Sequence, residues 1–389
     1  VSGRRAAPFA ALLLAVLLLQ GCALLRPEQP TPELRRMAGQ MLLIGFRGAE
    51  PVDDTGAPLP IVRQLTELNL GGVILFDRDA ALGNGPRNVQ SPEQLTRLTS
   101  ALADAAAKAG MPQPFIAVDQ EGGRVQRLKP AYGFPDTPAA ASLCPDGDDL
   151  PAYNAGEATG RTLRQAGLNL DFAPVCDVNV NPQNPVIGGL GRSFSADPVR
   201  AAQCAEAFAR GLRSQGVLTA AKHFPGHGSS TADSHLGFTD VTDTWSEAEL
   251  GPFAALIKAH LADMVMTAHV FNARLDAKYP ATLSRPVITG VLRRRLGYTG
   301  VVVTDDLQMR AVRDGYGFKQ ALGLAVNAGA DVLLIGNNLE YDENMGAKTL
   351  DALMELVAEG VVPAQRIRQS AARIQELKLR RLAPADASQ

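Results

Sequence analysis

Short, largely apolar runs recur along the chain, and between them lie longer stretches in which apolar positions return every three or four residues. Eight such runs stand out, at 41–46, 72–76, 115–118, 168–172, 218–221, 264–267, 301–304 and 331–335. Their length and their Val, Ile and Leu content predict strands buried on both faces. The intervening patterns predict helices over 92–109, 154–166, 199–215, 247–260 and 318–328, with terminal helices over 350–357 and 365–379. Ala109-Gly110 and Gln215-Gly216 supply the glycine at which such helices stop. Strand and helix in strict alternation predict βαβ units and an α/β fold, a single (β/α)8 TIM-type barrel. An open doubly wound sheet is the alternative, but no Gly-rich phosphate loop follows the first run.

The first part of the chain departs from this pattern. Arg4 and Arg5 precede the apolar run 10–19, which meets Gln20-Gly21-Cys22. That run is shorter than the ~20 residues a membrane-spanning helix needs, so it reads as a signal peptide, removed before folding. Leu19-Gln20-Gly21-Cys22 resembles a lipobox, which implies a lipid on Cys22. The expected organisation is a lipoprotein signal over 1–21, a lipidated end with a proline-containing tether over 22–34, the barrel over 35–382 and a flexible tail over 383–389. The body is then anchored to a lipid bilayer and faces the periplasm or the cell exterior. A net charge of −2 without a basic run argues against a nucleic-acid partner. Cys144, Cys176 and Cys204 show no metal-ligand spacing; buried thiols are expected, with one disulfide possible in an oxidising compartment.

In such barrels the chemistry collects on the loops after the strand C-termini. Asp119 follows the third run, Asp171 sits in the fourth, Lys222 and His223 follow the fifth, His269 the sixth, and Asp305 and Asp306 the seventh. Four of the five histidines, His223, His227, His235 and His269, fall in these segments. Within the loop Lys222-His223-Phe224-Pro225-Gly226-His227-Gly228, continued to Asp233-Ser234-His235, the Asp and the last His are two apart. On an extended backbone both side chains share one face, so the carboxylate can orient the imidazole as a general acid. Of Asp305 and Asp306 only one is expected to face the barrel axis, where a carboxylate can serve as a glycosidase nucleophile; the other is expected to pack or cap.

These segments carry a resemblance. The loop just quoted, Thr304-Asp305-Asp306-Leu307-Gln308-Met309, Val118-Asp119-Gln120-Glu121-Gly122-Gly123-Arg124-Val125-Gln126-Arg127, Gly191-Arg192-Ser193-Phe194 and Asn169-Leu170-Asp171-Phe172-Ala173-Pro174-Val175-Cys176-Asp177 resemble, in order, motifs of the β-N-acetylglucosaminidase branch of glycoside hydrolase family 3. The resemblance covers roughly residues 37–336. It implies retaining hydrolysis of terminal β-N-acetylglucosamine, with Asp305 as nucleophile and Asp233 with His235 as acid/base dyad. It also implies that Asp119, Arg127, Arg192, Lys222 and His223 grip the sugar, that an N-acetylglucosamine-containing oligosaccharide is the substrate, and that no metal or other cofactor takes part. A monomer is expected.

Plainer roles are expected elsewhere. Asp171 and Asp177 tie loops together, His227 shapes its loop, His260 lies on a helix surface, and Trp245 packs outside the barrel. Glu121 forms a salt bridge with a nearby Arg, and the residues leave His269 undecided. Two other functions fit strand-end His and Asp residues: a metal-dependent barrel hydrolase, which chelation would inactivate, and a sugar-binding lipoprotein without turnover.

Overall fold

Eight parallel strands close on themselves. The computed structural model describes residues 28–83 and 85–382, so the expected signal segment, Cys22 and the tail over 383–389 lie outside the described residues. The strands are β1 (Leu42–Gly45), β2 (Gly72–Ile74), β3 (Phe115–Val118), β4 (Leu170–Asp171), β5 (Leu218–Phe224), β6 (Met264–Thr267), β7 (Val301–Thr304) and β8 (Leu333–Ile335). Their order around the sheet is β7-β6-β5-β4-β3-β2-β1-β8. The seam between β7 and β8 is closed by a parallel bridge from Val303 to Val332 and by the Thr304 amide donating to the Val332 carbonyl at 3.0 Å. The expected (β/α)8 barrel is the fold observed, and every one of the eight apolar runs supplies a strand. The strands are buried on both faces, which is why most of their sequences do not alternate.

An outer layer of helices surrounds the strands: α1 (Pro32–Gly39), α2 (Pro60–Glu67), α3 (Pro92–Lys108), α4 (Leu150–Gln165), α5 (Pro198–Ser214), α6 (Gly251–Lys258), α7 (Arg310–Tyr316), α8 (Phe318–Ala328), α9 (Met345–Ala358) and α10 (Ala364–Arg381). Local signals set several starts. Thr31 accepts from the Leu34 amide, Ser91 from Gln94, and Asp197 from Val199 and Arg200, each with proline in the first turn. Helix α1 begins inside the stretch expected as tether, because the Thr31-Pro32 pair is a capping signal. Helix α2 and a π-helical stretch over Pro286–Arg295 were not anticipated, nor were the bounds of the 7-residue α7. The first is only 8 residues long, and the second opens with proline, β-branched residues and a glycine, a composition that reads against a helix.

The rim at the strand N-termini is a structural end. There the buried Asp331 carboxylate is shared by Arg293, Arg366 and Arg373 at 2.6, 2.8 and 3.1 Å, which binds α10 and the π-helical stretch to the barrel floor. Cys144 and Cys204 form a disulfide between the segment before α4 and helix α5, where the sequence had left one disulfide possible without naming its pair. Cys176 stays a buried thiol whose pKa burial pushes well up. Among the described residues no helix is long and apolar enough to cross a membrane.

Candidate active site

The strand C-termini open on a cavity of about 670 Å³. Asp119 enters it directly after β3, Arg127 from the loop beyond, and Arg192 from the loop after β4. Lys222 and His223 come from β5, Asp233 and His235 from the loop after β5, and Asp305 from the end of β7. All eight residues expected to act on the sugar therefore line one space. Lys222 and His223 belong to β5 itself, because that strand runs to Phe224 instead of stopping at residue 221.

One wall of the cavity is a fixed array of opposite charges. Lys222, 2% exposed at its side chain, lies 2.7 Å from Asp119 and 2.5 Å from Glu121. The Arg192 guanidinium grips both oxygens of Glu121, at 2.6 and 2.7 Å, so the salt bridge expected of Glu121 is formed and is bidentate. Burial opposes the charge on Glu121, but Arg192 and Lys222 outweigh it and hold its carboxyl far below the usual range. Glu121 is thus no proton donor near neutral pH. Burial likewise opposes the charges of Asp119 and Lys222, and each partner restores the other's. Arg127 approaches Asp119 at 3.4 Å and Asp77 at 3.8 Å, and Lys129 also pairs with Asp77. The array presents fixed donors and acceptors suited to neutral hydroxyl and amide groups.

His223 is oriented from behind. Its Nδ1 lies 2.6 Å from Asp177 Oδ2, while Oδ1 of the same carboxylate accepts from the His223 amide at 3.2 Å and the His227 amide at 2.8 Å. Asp177 does tie two loops together, as expected, and in addition sets an imidazole that faces the cavity. Its side chain is fully buried, and His223 keeps it ionised against burial. His227 shapes the loop: it contacts Ser234 Oγ at 3.1 Å, and burial lowers its pKa to about 4. The loop glycines are required here. Gly226 has φ 122°, and a Cβ on Gly228 would stand 1.7 Å from the Val178 carbonyl oxygen.

Asp233 and His235 meet as expected, but not on an extended backbone. Residues 233–236 form a turn closed by the Leu236 amide donating to the Asp233 carbonyl at 3.0 Å. The Asp233 carboxylate accepts from the His235 amide and faces its Nδ1, both at 2.8 Å. Aspartate favours such a turn because its side chain reaches the amide two residues on. Burial alone would lower the His235 pKa; the hydrogen bond to Asp233 and the negative charges of Asp305 and Asp233 outweigh it and raise it. With Nδ1 occupied, Nε2 is the atom left to face the cavity.

Both carboxylates after β7 line the cavity, although only one was expected to face it, and they differ in how they are held. Asp306 Oδ1 accepts from the Gln308 and Gly336 amides, both at 3.0 Å, and burial pushes its pKa up to about 6. Asp305 keeps one oxygen for the cavity, the other accepting from the Asp306 amide at 2.8 Å. Burial opposes its charge, but His269, His223 and His235 overcome that and bring the pKa down to about 2. The role of His269, undecided from sequence, is to brace this segment: Nε2 lies 2.9 Å from the Asp306 carbonyl and Nδ1 2.9 Å from Thr282 Oγ1. Trp245 packs away from the cavity with its Nε1 donating to the Pro225 carbonyl.

Two residues escaped sequence reasoning. Asp77, the partner of Lys129, lies beyond β2, where a Phe-Asp-Arg-Asp segment offered only the general signal of a post-strand acid. Glu249 lies fully buried behind the glycine loop, its Oε2 3.3 Å from the Ser229 amide, and burial pushes its pKa to about 7; in sequence it is one of several acids at a helix start.

Comparison with known proteins adds a lineage to this geometry. The profile of the glycosyl hydrolase family 3 N-terminal domain matches residues 35–377. A Beta-hexosaminidase A of Pseudoalteromonas piscicida is 34% identical over 374 residues, covering 88% of this chain and 60% of its own length. The Beta-hexosaminidase of Tolumonas auensis is 39% identical over 275 residues, 69% of this chain and 76% of the relative. The structure of a glycoside hydrolase family 3 beta-N-acetylglucosaminidase from Paenibacillus sp. str. FPU-7 superposes with a TM-score of 0.80 at 37% identity, covering 92% of this chain and 64% of that one. The chain thus spans about 60% of the Pseudoalteromonas protein and 64% of the Paenibacillus one.

Proposed function

The chain belongs to glycosyl hydrolase family 3, and on that premise we propose that it is a β-N-acetylhexosaminidase that removes terminal β-N-acetylglucosamine with retention of configuration. Asp305 attacks the anomeric carbon, and the glycosidic C–O bond breaks as His235 Nε2 gives its proton to the leaving oxygen. Water then attacks the same carbon and loses a proton to Nε2, and the sugar–Asp305 ester bond breaks. Asp233 orients the imidazole and favours its charged form. Asp119, Arg127, Lys222 and His223 hold the terminal sugar, with Arg192 set by Glu121.

One observation carries the reading: a carboxylate held ionised and an imidazole held toward its protonated form line the same cavity, the division of labour that a nucleophile and a proton donor require. The test is hydrolysis of a chromogenic N-acetylglucosaminide followed by NMR of the first anomer released. The β-anomer supports the proposal, and the α-anomer, or no hydrolysis, overturns it. Chitin oligosaccharides and murein fragments both carry the required sugar; relative rates on chitobiose and a murein disaccharide rank them.

The same proposal places the barrel outside the cytoplasm, anchored through Cys22. The lipobox-like segment supports it, and so does the Cys144–Cys204 disulfide, which persists in oxidising compartments. Labelling with a fatty-acid probe that is lost in Cys22→Ser is the expected result; equal labelling of both forms contradicts it.

A further inference from the structure

A second cavity, of about 430 Å³, opens at the opposite rim of the barrel, between the C-terminal ends of α5 and α6, the turn before β7 and the last two turns of α10. Its charged lining is Arg213, Arg373, Arg380 and Arg381 against Asp263 and Glu376, with the exposed His260 beside them. The carboxylates do not neutralise it. Asp263 is engaged by Thr219, whose amide donates to it at 3.2 Å, and lies 3.7 Å from Arg213 and 3.5 Å from Arg381. Arg373 shares the single charge of Asp331 with two further arginines. The buried Nε of Arg381 faces Asp263 Oδ1 only at that 3.5 Å and makes no hydrogen bond among the described residues. Burial lowers the Arg213 pKa first, and the nearby Arg381 and Arg380 lower it further against the pull of Asp263, so like charges are held together at this rim.

Packing guanidiniums around a cavity with too few carboxylates is unfavourable unless an anion enters, and a fork of N–H donors matches tetrahedral oxyanions. We propose that this cavity binds a phosphate group, presented by a soluble phosphate ester or by a lipid headgroup. It is larger than phosphate alone, which leaves room for the attached alcohol. Glu28 pairs with Arg368 of α10 at this same rim, so on the proposal above that Cys22 carries a lipid this is the face a bilayer would meet.

The test is equilibrium dialysis of the full chain against radiolabelled inorganic phosphate, with Arg380→Gln and the double variant Arg380→Gln/Arg381→Gln. Saturable binding is expected, weakened several-fold in the single variant and at least tenfold in the double, with hydrolysis of the chromogenic glycoside unchanged. Absence of saturable binding to the parent chain, or equal affinity in the double variant when circular dichroism shows it folded, overturns the proposal. Arg380 is exposed and makes no ion pair among the described residues, so the single variant stays informative even if the double variant unfolds. Sedimentation with phosphatidylglycerol vesicles but not phosphatidylcholine vesicles, lost in the variants, assigns the phosphate to a headgroup; phosphate binding without vesicle retention assigns it to a soluble ester.

Discussion

Replacing Glu121 by Gln separates a structural acid from a catalytic one. Glu121 receives Arg192 at 2.6 and 2.7 Å and Lys222 at 2.5 Å, and all three side chains are at most 9% exposed. Glutamine keeps the shape and one acceptor oxygen but removes the charge, leaving two buried cations with only Asp119 between them. Breaking a buried pair by removing one partner costs about 3–5 kcal/mol, and retention of one acceptor puts this case at the lower end. For a barrel of this size ~3 kcal/mol lowers Tm by about 4 °C. Because Arg192 and Lys222 then shift, KM for the glycoside rises. In the proposed mechanism the charge that sets the proton donor is that of Asp233, so the pH profile of kcat is expected to retain both limbs. Thermal unfolding followed by circular dichroism, alongside kcat and KM across pH, reads all three. Unchanged stability together with the loss of one limb would refute the reasoning and make Glu121 the acid.

Asp233→Asn removes the charge that raises the His235 pKa, so the alkaline limb of kcat/KM moves to lower pH, and poor leaving groups lose about 10²-fold while activated aryl glycosides lose much less. An unmoved limb contradicts the pairing. Asp305→Ala lowers kcat by ~10⁴-fold or more in the chromogenic assay without lowering Tm; an unchanged rate removes the assignment. Glu249, raised from 4.5 to about 7, binds its proton more tightly folded than unfolded; its stabilisation is fully present below pH 4.5 and lost as pH rises through about 7. Denaturant titrations should show Glu249→Gln flattening up to ~3 kcal/mol of that decline, and parallel curves would contradict it. Cys144→Ser with Cys204→Ser frees a loop with a separation of 60 residues, and the denaturant midpoint should fall by the equivalent of up to ~4 kcal/mol. An unchanged midpoint would mean that the bond does not form.

The barrel was legible because strands buried on both faces write themselves as largely apolar runs, and because acids and histidines at their ends mark one rim. Where sequence reading failed, the reason is local. The 233–235 pair was read as extended, whereas an aspartate able to cap its own turn bends the backbone and still brings the two groups together. Pro286–Arg295 coils despite a composition that disfavours it, since Val287, Ile288 and Leu292 are buried against the barrel; tertiary packing overrides propensity there. The dependence of His223 on Asp177, 46 residues away, and the basic cavity formed from α5, α6 and α10 are long-range juxtapositions that no spacing along the chain reveals.

The central claim is that Asp305 forms a bond to the sugar and His235 serves the steps around it. A His235→Ala variant, with an activated aryl N-acetylglucosaminide, should form the glycosyl–enzyme and break it slowly. Mass spectrometry of the quenched and digested protein should then find one N-acetylhexosamine on the peptide that carries Asp305. An adduct on any other residue, or none while turnover proceeds, would contradict the account.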